Sequence, residues 1–167
     1  MNRIASRMLC AAVVVAGMGL ATGSAEAATA GTPRILDSFG YGALKLGMPE
    51  AAAEATGLLT DREPGKCDAY YFVPAEGSMP RSSGVFISPA SGVNRIGATS
   101  KTRTPQEIWR GSTLDDLRDA YPGLVQDSGQ DWIYRAPAPG NTAAEYSFVV
   151  ENNQVEDFAL ELLHSDC

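Results

Sequence analysis

A glycine turn that opens a short helix occurs twice in this chain, and its recurrence limits the available folds more than any other feature. The first copy runs from Leu46 to Gly57. Gly47 turns the chain, and Pro49 suits a first helical position, where its missing N–H has no partner to lose. Glu50 meets the positive end of the helix dipole. Ala51, Ala52 and Ala55 form a small inner face, and Gly57 ends the helix in a left-handed conformation. In the second copy Gly111 turns, Ser112 or Thr113 caps, and Asp115 and Asp116 occupy the first turn. Leu114, Leu117 and Tyr121 form one apolar stripe, and Pro122-Gly123 stop the helix.

Strand patterns follow each copy. Ala69–Val73 is rich in residues that suit a pleated surface. Gly84–Ser88 and Val93–Ile96 flank the turn Pro89–Gly92 as a hairpin. In the second half, Asp131–Arg135 is a strand, and Glu145–Val150 pairs with Val155–Leu163 across Glu151–Gln154. Gly47 lies on Gly111 at an offset of 64 residues, and Phe86, Val93 and Ile96 lie on Phe148, Val155 and Phe158 at an offset of 62. A repeat of about 63 residues predicts an α+β fold of two similar units, each a short helix packed on an antiparallel sheet. The units are 39–103 and 104–167, with 28–38 as a flexible leader, 61–66 as a charged loop and 97–104 as a polar connector.

Residues 1–27 read as a secretory signal peptide. Arg3 and Arg7 precede an apolar run from Met8 to Leu20, and small residues follow, with cleavage after Ala27 or Ala30. The run is shorter than the roughly 20 residues that span a bilayer. The mature chain is therefore expected to be soluble and secreted, either extracellular or in the cell envelope, with no membrane contact after cleavage.

Charge is uneven. Residues 28–103 carry 8 basic and 7 acidic side chains, whereas residues 104–167 carry 3 basic and 12 acidic. An acidic half disfavours nucleic acid and anionic lipid and favours a cationic partner. Acidic surface also serves solubility alone.

Two cysteines remain after cleavage, Cys67 and Cys167. An oxidising compartment favours their pairing; intermolecular pairing or a reactive thiol are the alternatives. An intrachain bond closes a 100-residue loop, for which chain entropy gives roughly 4–5 kcal/mol of stabilisation.

Leu46-Gly47-Met48, the alanine/glutamate helix and Gly57 resemble the opening of the beta-lactamase inhibitory protein family and of the small outer-membrane assembly lipoproteins of the SmpA/OmlA type. Gly111-Ser112-Thr113-Leu114 looks like a second such opening. The resemblance implies tandem helix-on-sheet units that present a surface to another protein. The chain departs from that pattern in having Pro49 where a hydroxyl residue is expected, and in lacking a disulfide within each unit.

Catalytic chemistry is weakly encoded. Asp115, Asp116 and Asp119 have the look of a magnesium set, but a helix start explains the first two. Asp127–Asp131 alternates oxygen ligands as calcium loops do, without the glycine and glutamate those loops need. His164 sits beside Ser165, Asp166 and Cys167 as sequence neighbours, not as groups converging from separate elements. No cofactor or metal is expected. The leading expectation is a non-enzymatic protein-binding module, inhibitor-like in kind, with Tyr70, Phe72, Trp132 and Tyr134 as candidate interface residues. A small hydrolase or metal-dependent enzyme using Asp115, Asp119 or His164 is the alternative, and a cell-envelope structural protein a third.

Overall fold

The computed structural model describes residues 34–80 and 83–167. The signal segment and the start of the leader lie outside the described residues.

The chain is mostly β. Three short strands come first, β1 (Arg34–Asp37), β2 (Gly40–Tyr41) and β3 (Leu44–Lys45), then helix α1 (Glu50–Glu54). Strands β4 (Leu59–Glu63), β5 (Asp68–Phe72), β6 (Val85–Ser88), β7 (Gly92–Gly97) and β8 (Thr102–Arg103) follow, with a 3₁₀ turn at Pro74–Glu76. Helix α2 (Leu114–Ala120) precedes β9 (Val125–Gln126), β10 (Ile133–Pro137), β11 (Ala144–Glu151) and β12 (Gln154–Leu162).

The expected α+β fold of two helix-on-sheet units is corrected by these elements. Helix α1 has 5 residues and no side-chain cap, and α2, with 7 residues, is the one helix of that length among the described residues. So short a helix as α1 adds little of its own stability, and strand pairing organises the chain. Segments read as loops are strands. Arg34–Asp37, assigned to the leader, is β1, and the connector contains β8, which pairs with β1 in parallel. The charged loop contributes β4, an edge strand bulged between Thr60 and Glu63. Its exposed Asp61, Arg62 and Glu63 hide the strand from a pattern search, because edge strands tolerate charge.

Two sheets result. The smaller has the order β3-β2-β1-β8; the larger is antiparallel throughout, in the order β4-β5-β6-β7-β12-β11-β10-β9. The strands that each sequence half contributes last to this sheet, β7 and β12, therefore meet in its middle. One face of the large sheet is the core wall. Tyr70, Phe72, Val85, Ile96, Phe148, Phe158 and Leu160 are buried there with Leu36, Tyr41 and Leu44 of the small sheet, Ala53 of α1, and Leu114, Leu117 and Tyr121 beside them. Tyr121 packs against Tyr146 and Phe148 with ring centroids 5.6 and 5.3 Å away. The Tyr146 hydroxyl donates to the Leu36 carbonyl at 2.9 Å, tying one sheet to the other.

The helix openings are anchored alike. The Gly47 amide donates to the Val93 carbonyl at 2.7 Å and Val93 N–H to Met48 O at 2.9 Å; Gly111 N–H donates to Val155 O and Val155 N–H to Ser112 O, both at 2.8 Å. Helix α2 is closed by a capping box, in which the Thr113 hydroxyl accepts from Asp116 N–H and the Asp116 carboxylate accepts from Thr113 N–H.

Candidate protein-binding face

Side chains alternate across a strand, so residues out of phase with Tyr70, Ile96, Phe148 and Leu160 point to the opposite face of the large sheet. That face is lined mainly by half-buried and exposed side chains; Ser147, Asp157 and Ala159 are buried in it, and no described helix or strand provides a second core over it.

Its centre is a ladder of charges running across the strands. On β10, Arg135 Nη1 donates to Glu145 Oε1 of β11 at 2.6 Å and approaches Glu161 Oε2 of β12 at 3.6 Å, while its Nε donates to Asp127 Oδ2 at 3.2 Å. Glu161 also pairs with Arg95 of β7 through its other oxygen. The Arg95 guanidinium in turn lies 5.9 Å from the Phe86 ring centroid on β6. The register makes this continuous, since Phe86 faces Arg95, Arg95 faces Glu161, and Glu161 faces Glu145.

Electrostatics follow from these contacts. Burial by itself would lower the Arg135 pKa, but Glu145 and Asp127 outweigh it, so the guanidinium holds its proton more firmly than usual. The backbone N–H of Gly129 holds the Asp127 carboxyl below the usual range, with Arg135 assisting. Asp157, two positions before Ala159 on the same face, behaves oppositely. Burial raises its pKa, with Ser83, the Phe158 backbone, Arg110 and Arg95 only partly opposing, and its Oδ1 has no hydrogen-bond partner among the described residues.

Apolar surface flanks the ladder. Phe86 lies on one side, and Ile133, Val149 and Val125 on the other, Val125 being 65% exposed. Two recesses open to solvent border it, one of about 390 Å³ between Val125, Asp127, Arg135 and Glu145 and one of about 410 Å³ between Lys66, Phe86, Arg95 and Glu161.

The candidate interface residues are placed differently from expectation. Tyr70 and Phe72 are 3% and 4% exposed and belong to the core. They are corrected by strand phase, because β5 turns its even-numbered side chains inward. The Tyr70 hydroxyl lies 2.7 Å from a carboxylate oxygen of both Glu50 and Glu54, fastening α1 to the sheet. Burial and those two carboxylates raise its pKa far above the ordinary phenol value. Tyr134 is half-buried against the core. Trp132 is 48% exposed but precedes β10 in the core-facing phase, so it lies off the ladder. Arg95, Arg135, Glu145 and Glu161 were not singled out in the sequence; their signal was alternation with Ile96, Ala136, Tyr146 and Leu160.

The enzymatic alternative finds its residues dispersed. Asp115 pairs with Arg118 at 3.0 Å, Asp116 is used in the capping box, and Asp119 is exposed. His164 is exposed on the tail, Asp166 is bonded to Ser88 and Ser91, and Cys167 is bonded to Cys67. Asp127 forms an Asx turn with the N–H groups of Gly129 and Gln130. Among the described residues no three His, Cys, Asp or Glu side chains converge as metal ligands would. No described helix is long and apolar enough to cross a membrane.

Fold and face together define a mostly β protein with one sealed and one solvent-facing side of an eight-stranded sheet. No family model and no curated protein matches the sequence. Among solved structures, it is similar to the uncharacterized protein yfeY from Escherichia coli, at 15% identity and a TM-score of 0.49, over 78% of this chain and 99% of that one.

Proposed function

We propose that this chain is an exported, non-enzymatic binding module whose partner is another protein, received on the solvent-facing side of the large sheet. The observation that carries the proposal is the ladder from Phe86 through Arg95, Glu161 and Arg135 to Glu145 and Asp127. Its charges are held in place by one another across four neighbouring strands and bordered by apolar side chains. Fixed charges on a broad surface favour orientation and specificity in protein association, whereas a reactive site needs convergent groups left free for substrate. The signal-like start supports export, and the excess of acidic residues after Thr104 supports a cationic partner.

The test uses immobilised mature protein and its double variant Phe86→Asp with Val149→Asp, offered the exported proteins of the source organism. Saturable capture of a defined partner that the variant loses, with both proteins equally folded by circular dichroism, is the expected result. Equal capture by the two proteins, or none that saturates, overturns the assignment.

A further inference from the structure

The larger sheet has one joint unlike the rest. Every other neighbouring pair of strands is consecutive in sequence and joined by its own connection, whereas β7 and β12 meet without one. Their ladder has three register pairs, Arg95 with Glu161, Ile96 with Leu160 and Gly97 with Ala159, as many as β5 with β6 and fewer than the eight of β11 and β12. One further bond, from Ala98 N–H to Phe158 O at 2.8 Å, extends it.

A covalent strap crosses this joint. After β12 ends at Leu162, residues 163–167 run past the β6–β7 turn to Cys67, just before β5, where Cys167 bonds to it with the Cα atoms 5.5 Å apart. From β12 to β5 is three strand spacings, about 14 Å, a gap that five residues, about 17 Å when extended, and the 5.5 Å between the bonded Cα atoms bridge. Midway it is seated on the turn. Asp166 accepts from the Ser88 and Ser91 hydroxyls at 2.6 Å each and from Asn94 Nδ2 at 3.1 Å. All five strap residues are exposed and Cys67 is half-buried, which puts the disulfide at the surface.

We propose that the Cys67–Cys167 disulfide is a redox-sensitive clasp that keeps the β7–β12 joint shut, and that its reduction loosens this joint while the β10–β12 strands stay paired. The chemistry needs a dithiol as reductant. One of its thiolates attacks a disulfide sulfur, the second resolves the mixed disulfide, and the products are two cysteine thiols and the oxidised dithiol, with two electrons and two protons transferred. Because Arg95 and Glu161 pair across the joint, its opening alters the proposed docking face at its centre. The clasp itself does not depend on that docking reading.

Amide hydrogen exchange on the folded protein, with and without dithiothreitol, tests it. The expected result is exchange at least tenfold faster at the amides that face the joint, those of Ile96, Ala98 and Leu160, with the Ser147 and Phe148 amides of β11 changed less than twofold. Unchanged exchange at the joint overturns the proposal. So does equal acceleration in every strand, which marks a global loss of stability. The double variant Cys67→Ser with Cys167→Ser repeats the comparison without reductant; should it not fold, the reduced wild-type protein alone decides.

Discussion

The amide of Gly47 donates to the carbonyl of Val93 across 2.7 Å, and this bond seats the turn before α1 directly on β7. The same contact brings Gly92 against the turn. A Cβ built there would lie 2.6 Å from Met48 O and 2.7 Å from Gly47 O, on a backbone with φ of +73°. Gly92→Ala therefore meets both a clash with backbone and a conformation that L residues avoid. A loss of about 2–3 kcal/mol is expected, read from the midpoint of urea unfolding. Gly140→Ala, at φ +77° with nothing within 4 Å, should cost only about 1 kcal/mol.

Thr113→Ala removes the hydroxyl that accepts from Asp116 N–H. The expected cost is about 1 kcal/mol, from thermal or urea unfolding. Asp116→Asn should lose less, because its side chain can still accept from Thr113 N–H.

Tyr146→Phe leaves the Leu36 carbonyl without the phenol that donates to it at 2.9 Å in the core. An unsatisfied buried acceptor costs roughly 1–3 kcal/mol. The small sheet should loosen first, visible as faster amide exchange in β1 and β2 than in β11.

Asp157 gives the pH dependence a definite sign. Burial raises its folded-state pKa above the ordinary carboxylate value, so the folded protein binds this proton more tightly than the unfolded chain. From this group, stability falls as pH rises from the ordinary carboxylate range through the raised pKa. Asp157→Asn removes that cost. The variant should be more stable than the parent at pH 7, and the gain should vanish below the ordinary carboxylate range. Equal stability differences at both pH values, measured by urea unfolding, would show that the charge is not the cause.

The turns and hairpins were legible in the residues, whereas the fold class was not. Gly47 and Gly111 mark the two turns before helices because a positive φ there leaves a chemical signature, and the hairpins around Pro89–Gly92 and Glu151–Gln154 were readable from their turn residues. The Cys67–Cys167 bond follows from there being two cysteines after residue 27. What could not be read was anything set by distant pairing. Arg34–Asp37 becomes a strand because Thr102 and Arg103 lie beside it, and Leu59–Glu63 because β5 offers it an edge. The facing of Tyr70 and Phe72 was misread for a related reason. A short aromatic run carries no phase of its own, and only pairing with Val85 and Leu59 turns both rings inward. The charge ladder escaped notice because its members are spread from Arg95 to Glu161 and become neighbours only when β7 meets β12.

The proposed docking face is tested most directly by site-specific photo-crosslinking. A photoreactive residue placed at Phe86 or Val149, on the ladder side, or at Asp119 of α2 is irradiated with the exported proteins of the source organism. The account predicts one crosslinked species from Phe86 and Val149, none from Asp119, and its disappearance when unlabelled protein competes. Crosslinks from Asp119 alone, or crosslinks that unlabelled protein does not displace, would contradict it.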